Sequence, residues 1–145
     1  MGRIAKHYLL FGGSIALIRD GKMKQLLNFC SRTGVQILAK LTRHQGLCWR
    51  YTLWNAEDYV GDILFEPRDN VIMELRNIEV ERKYRGIGIG SMIFQLVCQD
   101  WKEDGYKFVE GCVVAHEKSY QKKLVEWYEK AGATVSQSNK LRIVL

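Results

Sequence analysis

Proline occurs once in this sequence of 145 residues, and no stretch is rich in Pro, Gly or Ser. That leaves no candidate linker. With no internal repeat or low-complexity tract either, one continuous domain is expected over residues 1–145. Cysteine is sparse: Cys30, Cys48, Cys98 and Cys112 are widely spaced and form no CxxC pair, and His7, His44 and His116 are equally scattered. This distribution offers neither zinc-ligand spacing nor a disulfide framework. No metal is expected, and the thiols read as reduced groups in a cytoplasmic protein.

Long apolar runs are missing too. The run Tyr8–Ile18 follows Arg3 and Lys6 as the core of a signal peptide would, but it contains Gly12 and Gly13 and ends in Arg19-Asp20 without a small-residue cleavage site. It is also shorter than the ~20 residues that span a bilayer. Lys6 stands where myristoylation favours Ser or Thr. The run reads as an amphipathic or buried opening element, and no membrane association is expected.

Acidic residues are scarce in the first third. Residues 1–50 carry nine Lys/Arg against Asp20 alone, a balance of +8, while residues 51–145 carry thirteen against fifteen acids, a balance of −2. Two readings fit this asymmetry: a face for a polyanion such as nucleic acid, or ordinary solvated cations. What the chain does have is core material. Hydrophobic residues make up 47% of it and aromatics 11%, and a domain of this length buries roughly 70% of its unfolded surface.

Periodicity places the elements. Met23, Leu26, Leu27 and Cys30 fall at helical spacing and predict a helix over Lys22–Arg32; Gly34–Leu41 predicts a strand and His44-Gln45-Gly46 a turn. Leu47–Asn55, Tyr59–Glu66 and Val71–Val80 are strand-like runs separated by polar turns, an antiparallel meander. Ile89, Met92, Ile93, Leu96, Val97 and Trp101 then share one helical face that ends at Asp104-Gly105. Phe108–Val114 is a short strand, Tyr120–Lys130 a second amphipathic helix stopped near Gly132, and Ala133–Ser136 and Lys140–Leu145 are closing strands. The expected class is α/β in the mixed, α+β sense: a sheet with helices packed on it.

The segment richest in chemistry is Arg82-Lys83-Tyr84-Arg85-Gly86-Ile87-Gly88-Ile89-Gly90-Ser91, between a strand and a helix, with three glycines in five residues. The first amides of a helix have no intrahelical acceptor and sit at the positive end of its dipole. Glycines let the main chain wrap closely around an anion, so the segment reads as a phosphate cradle. It is not a P-loop, because no Gly-Lys-Ser/Thr follows the glycines. A dinucleotide fingerprint turns directly off its strand, whereas five residues separate Val80 from Gly86 here.

Arg85-Gly86-Ile87-Gly88-Ile89-Gly90 is similar to the R/Q-x-x-G-x-G/A signature of the GNAT superfamily of N-acetyltransferases. Glu74-Leu75-x-x-Ile78-x-Val80 precedes it on a strand, and Leu124-x-x-Trp127-Tyr128-Glu129-Lys130-Ala131-Gly132 resembles the family's A-x-x-L-Y-x-x-x-G-F pattern. The resemblance covers about residues 47–136. It implies the GNAT acyl-CoA N-acyltransferase fold, a central, mostly antiparallel sheet flanked by helices. Residues 47–136 form its core and 1–46 a variable region walling the acceptor groove. It also implies acetyl-CoA as donor, with the pyrophosphate on the amides of Gly86, Ile87, Gly88, Ile89, Gly90 and Ser91 and Arg85 adding charge. The pantetheine arm is then expected along Ile78, Glu79 and Val80, where the strand splays from its neighbour near a bulge at Asn77, and Gln121 stands where the family has a cofactor-contacting asparagine.

By the same resemblance Tyr128 is the general acid, and Glu74 the base, directly or through water; Glu79 and Glu110 are further candidates for that second role. Transfer is expected to be direct, in a ternary complex. On the residues alone, Tyr128 also reads as an aromatic packed beside Trp127 and Glu74 as a surface glutamate. Arg82 replaces a frequent proline and Ala133 a usual phenylalanine. Three functions therefore stand side by side: an N-acetyltransferase, a CoA-binding module without catalysis, and a polyanion-binding protein on this fold. The acceptor amine belongs to a small molecule, a peptide or protein, or a charged tRNA. A basic wall would favour anionic acceptors over polyamines. Trp49, Tyr51 and Trp54, on one strand, suggest a homodimer seam.

Overall fold

Alternating burial along strands organises most of this chain. The computed structural model describes the backbone of residues 7–11, 14–18, 24–43 and 48–145, and the side chains of all of these except 7–11, 14–18 and Arg43. Strands β1 (His7–Phe11) and β2 (Ser14–Ile18) pair antiparallel as a small sheet of their own, so the described parts of the apolar run Tyr8–Ile18 are two paired strands. The main sheet contains β3 (Leu26–Cys30), β4 (Gln36–Arg43), β5 (Trp49–Asn55), β6 (Asp58–Pro67), β7 (Ile72–Val80), β8 (Phe108–Cys112), β9 (Thr134–Val135) and β10 (Lys140–Val144). Their spatial order is β3-β4-β5-β6-β7-β8-β10-β9. Every pairing is antiparallel except β7 with β8, which is parallel. Helix α1 (Ile89–Glu103) makes the crossover between those two, and α2 (Gln121–Lys130) links β8 to β9.

One face of the sheet is the core. Leu53, Ile63, Phe65 and Met73 are fully buried, as are Ile93 and Val97 of α1. Tyr51 stacks on Phe65 at 5.8 Å and Phe65 packs on Trp101 of α1 at 5.0 Å. This chain of rings joins sheet to helix, and truncating any of them to Ala would cost about 3–5 kcal/mol.

Two expectations are corrected. The predicted helix over Lys22–Arg32 is, in its described part, β3 followed by a turn. Leu27 and Phe29 face inward while Leu26, Asn28 and Cys30 face out. Over five residues the same apolar pattern satisfies a period of two as well as one of 3.6, and pairing with β4 decides between them. The aromatic seam does not exist either. Trp49 and Tyr51 are 2% and 1% exposed on the core face of β5. Trp54 alone faces the other way, edge-on to Tyr59 at 5.5 Å.

The turn expected at His44-Gln45-Gly46 lies outside the described residues, as do Arg3, Lys6, Arg19 and Lys22 of the basic first third. Of its remaining cations, Lys40 sits 5.5 Å from the Trp54 ring and Arg50 4.0 Å from Asp62. Arg32 lies against the glycine loop, as described below.

Candidate active site

After β7 the chain makes a short 3-10 turn at Arg82–Tyr84 and then enters the glycine loop. Gly86 and Gly88 have φ of +81° and +87°, left-handed conformations in which a Cβ would be strained. Gly88 is the N-cap of α1, and the first helical bond runs from the Met92 N–H to the Gly88 carbonyl at 3.0 Å. The amides of Ile89, Gly90 and Ser91 precede that bond and have no acceptor inside the helix. No acidic side chain occupies the first turn of α1 to offset the positive end of the dipole.

The loop is braced from two hairpins. On the β3–β4 side, the Arg32 guanidinium donates to the Gly86 carbonyl at 2.7 Å and its main-chain N–H to the Ile87 carbonyl at 3.0 Å. On the β5–β6 side, the Tyr84 hydroxyl donates a short hydrogen bond to Asp58. The Asn55 side-chain amide donates to the Tyr84 oxygen at 3.3 Å, and Lys83 Nζ lies 2.6 Å from the Asp58 carboxylate. Hydrogen bonds from Lys83 and Tyr84 hold the Asp58 carboxyl below its ordinary range. On the helix side, Trp127 of α2 donates its Nε1–H to Ser91 Oγ at 3.3 Å.

The second feature is a fork in the sheet. Strands β7 and β8 pair from Ile72↔Phe108 to Leu75↔Gly111 and no further. At that point β7 carries a bulge: Phe65 opposes Leu75 and Leu64 opposes Asn77, leaving Arg76 as the extra residue. Beyond it Ile78, Glu79 and Val80 stay paired with β6, and their other edge has no strand partner among the described residues. Gly111 makes the close approach at the crotch possible, because a Cβ there would lie 2.6 Å from the Leu75 carbonyl oxygen. The other arm, past β8, is pulled outward. Val113 donates to the Asn139 carbonyl at 2.8 Å, and the Gln121 amide bridges the Val113 carbonyl (2.7 Å) and the Ala115 N–H (2.8 Å). Gln121 thus engages main chain at both ends of its amide and lines neither cavity of the site.

Two adjoining cavities occupy this region. One, of ≈ 560 Å³, is lined by Arg85, Gly86 and the segment from Gly88 to Met92, together with Arg32, Val80 and Trp127. The other, of ≈ 1000 Å³, opens in the fork between Glu74–Val80 and Cys112–Glu117, with Tyr120 and Tyr128 of the second helical segment closing it. Ile78, Val80, Arg85, Leu124 and Trp127 form walls of both, so the two spaces are continuous along β7. The Arg85 side chain folds back, its Nε donating to the Val80 carbonyl at 2.6 Å.

Tyr128 is 6% exposed, wedged edge-on against Trp127 (4.9 Å) and Phe94 (6.0 Å). Burial pushes its phenol up to about 12. Both descriptions of this residue therefore hold: it is packed beside Trp127, and it borders the fork cavity. Glu74 also borders that cavity, with one carboxylate oxygen 3.5 Å from Arg68 Nε and the other 3.5 Å from Arg76 Nη1. Glu110 is engaged by Arg68 at 2.6 Å and Arg142 at 3.6 Å, outside the cavity. Glu79 is exposed at the fork and forms no ion pair among the described residues. Among the described residues no group of His, Cys, Asp or Glu is placed to hold a metal, and no helix is long and apolar enough to cross a membrane.

Sequence reasoning missed Arg32, Asn55, Asp58 and Tyr84. Their signal was weak: Ser31-Arg32-Thr33-Gly34 is a turn-forming cluster, but the predicted helix took in Ser31 and Arg32 and the predicted strand began at Gly34. Asn55 and Asp58 flank the β5–β6 turn, and they meet Tyr84, more than twenty residues on, only because that turn folds over the loop.

No curated protein sequence matches this chain. Solved structures do. The GNAT domain of S. lividans PAT superposes with a TM-score of 0.68 at 11% identity, covering 83% of this chain and 97% of that one. A GNAT family acetyltransferase from Elizabethkingia anophelis with acetyl-CoA bound gives 0.57 at 18% identity, over 68% and 77% of the two chains. The PaiA N-acetyltransferase from Thermoplasma acidophilum in complex with coenzyme A gives 0.57 at 16%, over 68% and 61%. These similarities concern the fold, a mixed sheet split by one parallel pair. The sequence model of the acetyltransferase (GNAT) family matches residues 21–133, most of the chain, and with the glycine loop at the N-terminus of α1 and the fork beside it, the chain belongs to that family.

Proposed function

We propose that this protein is an acetyl-CoA-dependent N-acetyltransferase that moves the acetyl group directly to an amine in a ternary complex. The observation that carries the reading is the continuity of the glycine-loop cavity with the fork cavity along the unpaired edge of β7. A ligand with a pyrophosphate at one end and a peptide-like arm at the other fits this arrangement. Free first-turn amides and two left-handed glycines suit the phosphates, and a strand edge without a partner suits the arm. The neighbours crystallised with acetyl-CoA or CoA share this fold and support the choice of donor.

When bound, acetyl-CoA supplies an acetyl thioester activated for transfer to nitrogen. The amides of Gly86 to Ser91 hold its phosphates. Arg85, which donates to the Val80 carbonyl here, would turn toward them, freeing Val80 to pair with the arm alongside Ile78 and Glu79. Tyr128, which borders the fork cavity, would supply the hydroxyl that meets the departing sulfur. A phenol near 12 stays protonated at neutral pH, but it is a weaker acid than an ordinary thiol at ~8.5, so it stabilises the developing thiolate mainly by donating a hydrogen bond. Glu74, whose two oxygens each lie 3.5 Å from a guanidinium nitrogen, would accept the amine's proton through an intervening water. Glu79 offers negative charge to an incoming ammonium. Gln121 shapes the cavity by fixing its outer arm. That Tyr128 and Glu74 border one cavity favours an active enzyme over a CoA-binding module without catalysis. The location we propose is cytoplasmic.

Calorimetric titration of acetyl-CoA into the protein and into a Gly88→Glu, Gly90→Glu double variant tests the donor. Binding to the first and not to the second is expected; a folded wild type that binds nothing would overturn the reading. An acceptor panel of amines, peptides and charged tRNA, assayed at low and high salt, then sorts the substrate. Polyamines emerging as the best acceptors would contradict a role for the basic first third.

A further inference from the structure

We infer that Arg32 is a positioning residue for the phosphate loop, turning its amides toward the cofactor from the β3–β4 turn. This rests on the donor reading above. Arg32 donates to two successive loop carbonyls, to Gly86 through Nη2 at 2.7 Å and to Ile87 through its main-chain N–H at 3.0 Å. A trans peptide carries its C=O and N–H on opposite sides. The N–H groups of Ile87 and Gly88, which belong to those same two peptides, therefore each point away from the Arg32 donor that holds their carbonyl. Successive amides turned outward in this way form the concave anion site of a backbone nest, here flanked by left-handed Gly86 and Gly88.

The clamp is itself held in place. Ser31 is 6% exposed; its N–H donates to the Val35 carbonyl at 2.9 Å, and its Oγ accepts from the Val35 and Thr33 amides at 3.0 and 3.3 Å. Gly34 closes the turn at φ +85°. The Arg32 side chain lies flat against the loop: a Cβ at Gly88 would meet its Nε at 3.1 Å and its Cγ at 3.2 Å. Arg32 forms no ion pair among the described residues, so its charge adds to that of Arg85 and the helix end around one cavity.

The test compares wild type, Arg32→Ala, Arg32→Lys and Lys40→Ala. The last removes a cation from the same hairpin where it faces Trp54. Any side-chain change leaves the Arg32 N–H bond to Ile87 intact, so the loop stays tethered. CoA affinity is read by calorimetry, kcat and the acetyl-CoA KM by thiol release, and the fold by thermal melting. We expect Arg32→Ala to weaken CoA binding about tenfold, to raise KM in step and to leave kcat within about twofold. Arg32→Lys, which keeps the charge and one donor, should recover part of the loss, and Lys40→Ala should bind as wild type does. Three outcomes would overturn the inference while leaving the donor reading intact: Arg32→Ala binding like wild type, Lys40→Ala losing as much as Arg32→Ala, or a fall in melting temperature and kcat at constant KM. Wild type failing to bind CoA would remove the donor reading and the clamp with it.

Discussion

The crotch of the fork should be a sterically constrained point of the site, and Gly111→Ala measures it. The lone methyl group added would stand 2.6 Å from the Leu75 carbonyl oxygen and 3.6 Å from Leu141 Cδ2. The first distance is backbone against backbone, so no flexible side chain can yield. To reach even 3.0 Å, the shortest contact real Cβ atoms tolerate, the two strands must part by about 0.4 Å at their last paired rung. Gly111 does not have a positive φ, so alanine brings no conformational strain of its own and the whole penalty is steric. Overpacking of this kind costs about 1–3 kcal/mol. At this chain length, that lowers the melting temperature by roughly 3–9 °C. Because the displaced rung anchors the unpaired edge of β7, affinity for CoA should fall as well. Gly132→Ala provides the calibration: its φ is +99° with nothing within 4 Å, so it measures backbone strain without a clash, ~1–2 kcal/mol. Melting followed by near-UV circular dichroism, with CoA titration at 20 °C, reads both effects. A Gly111→Ala protein that melts within about 1 °C of wild type and binds CoA equally would refute the fork geometry.

Tyr128→Phe keeps the ring that packs on Trp127 and Phe94, so the melting temperature should change little while kcat falls by about 10²-fold or more at unchanged acetyl-CoA KM; a kcat within threefold of wild type would remove the hydroxyl from the chemistry. With its phenol near 12, Tyr128 also predicts no alkaline loss of rate of its own below pH 10. Asp100 on α1 is 6% exposed and its Oδ1 has no hydrogen-bond partner among the described residues; burial pushes its carboxyl up to about 6, with Lys24 opposing and Asp104 and Glu103 adding. A raised folded value means that the protonated group's stability is fully present below ~3.9 and is lost as pH rises through 6. Asp100→Asn should therefore stabilise the protein at pH 7.5, by roughly 1–2 kcal/mol after solvent screening, and leave it unchanged at pH 4. Parallel melting curves for the two proteins from pH 4 to 8 would contradict this.

How much of this was legible in the sequence follows from how local each signal is. Strands β5 to β8, β10 and both helices were readable because each carries its own periodicity over seven or more residues or lies between unmistakable turns. The glycine loop was readable because three glycines at a strand-to-helix junction have few other uses. β3 was not, because five residues cannot separate two periods and only pairing with β4 resolves them. That one ambiguity hid more than an element. Read as a helix, Lys22–Arg32 ends in a solvated arginine; read as a strand and turn, it delivers the same arginine to the Gly86 carbonyl, fifty-four residues away. The aromatic seam failed for a related reason. Trp49 and Tyr51 alternate with polar residues, which marks a two-faced strand but does not say which face is wet, and the answer came from Phe65 and Trp101 closing over that side. The split roles of Gln121 and Glu74 have the same origin. Position within a motif identifies a residue's neighbourhood, while its partners depend on how the nearby turns and bulge fold back on it: Val113 and Ala115, beyond the end of β8, for the glutamine, and Arg68 and the bulged Arg76 for the glutamate. A motif can therefore specify which groups meet the cofactor's phosphates, because main-chain amides supply the binding, but not which side chains stand free to do chemistry, because that depends on what the rest of the sheet has already engaged.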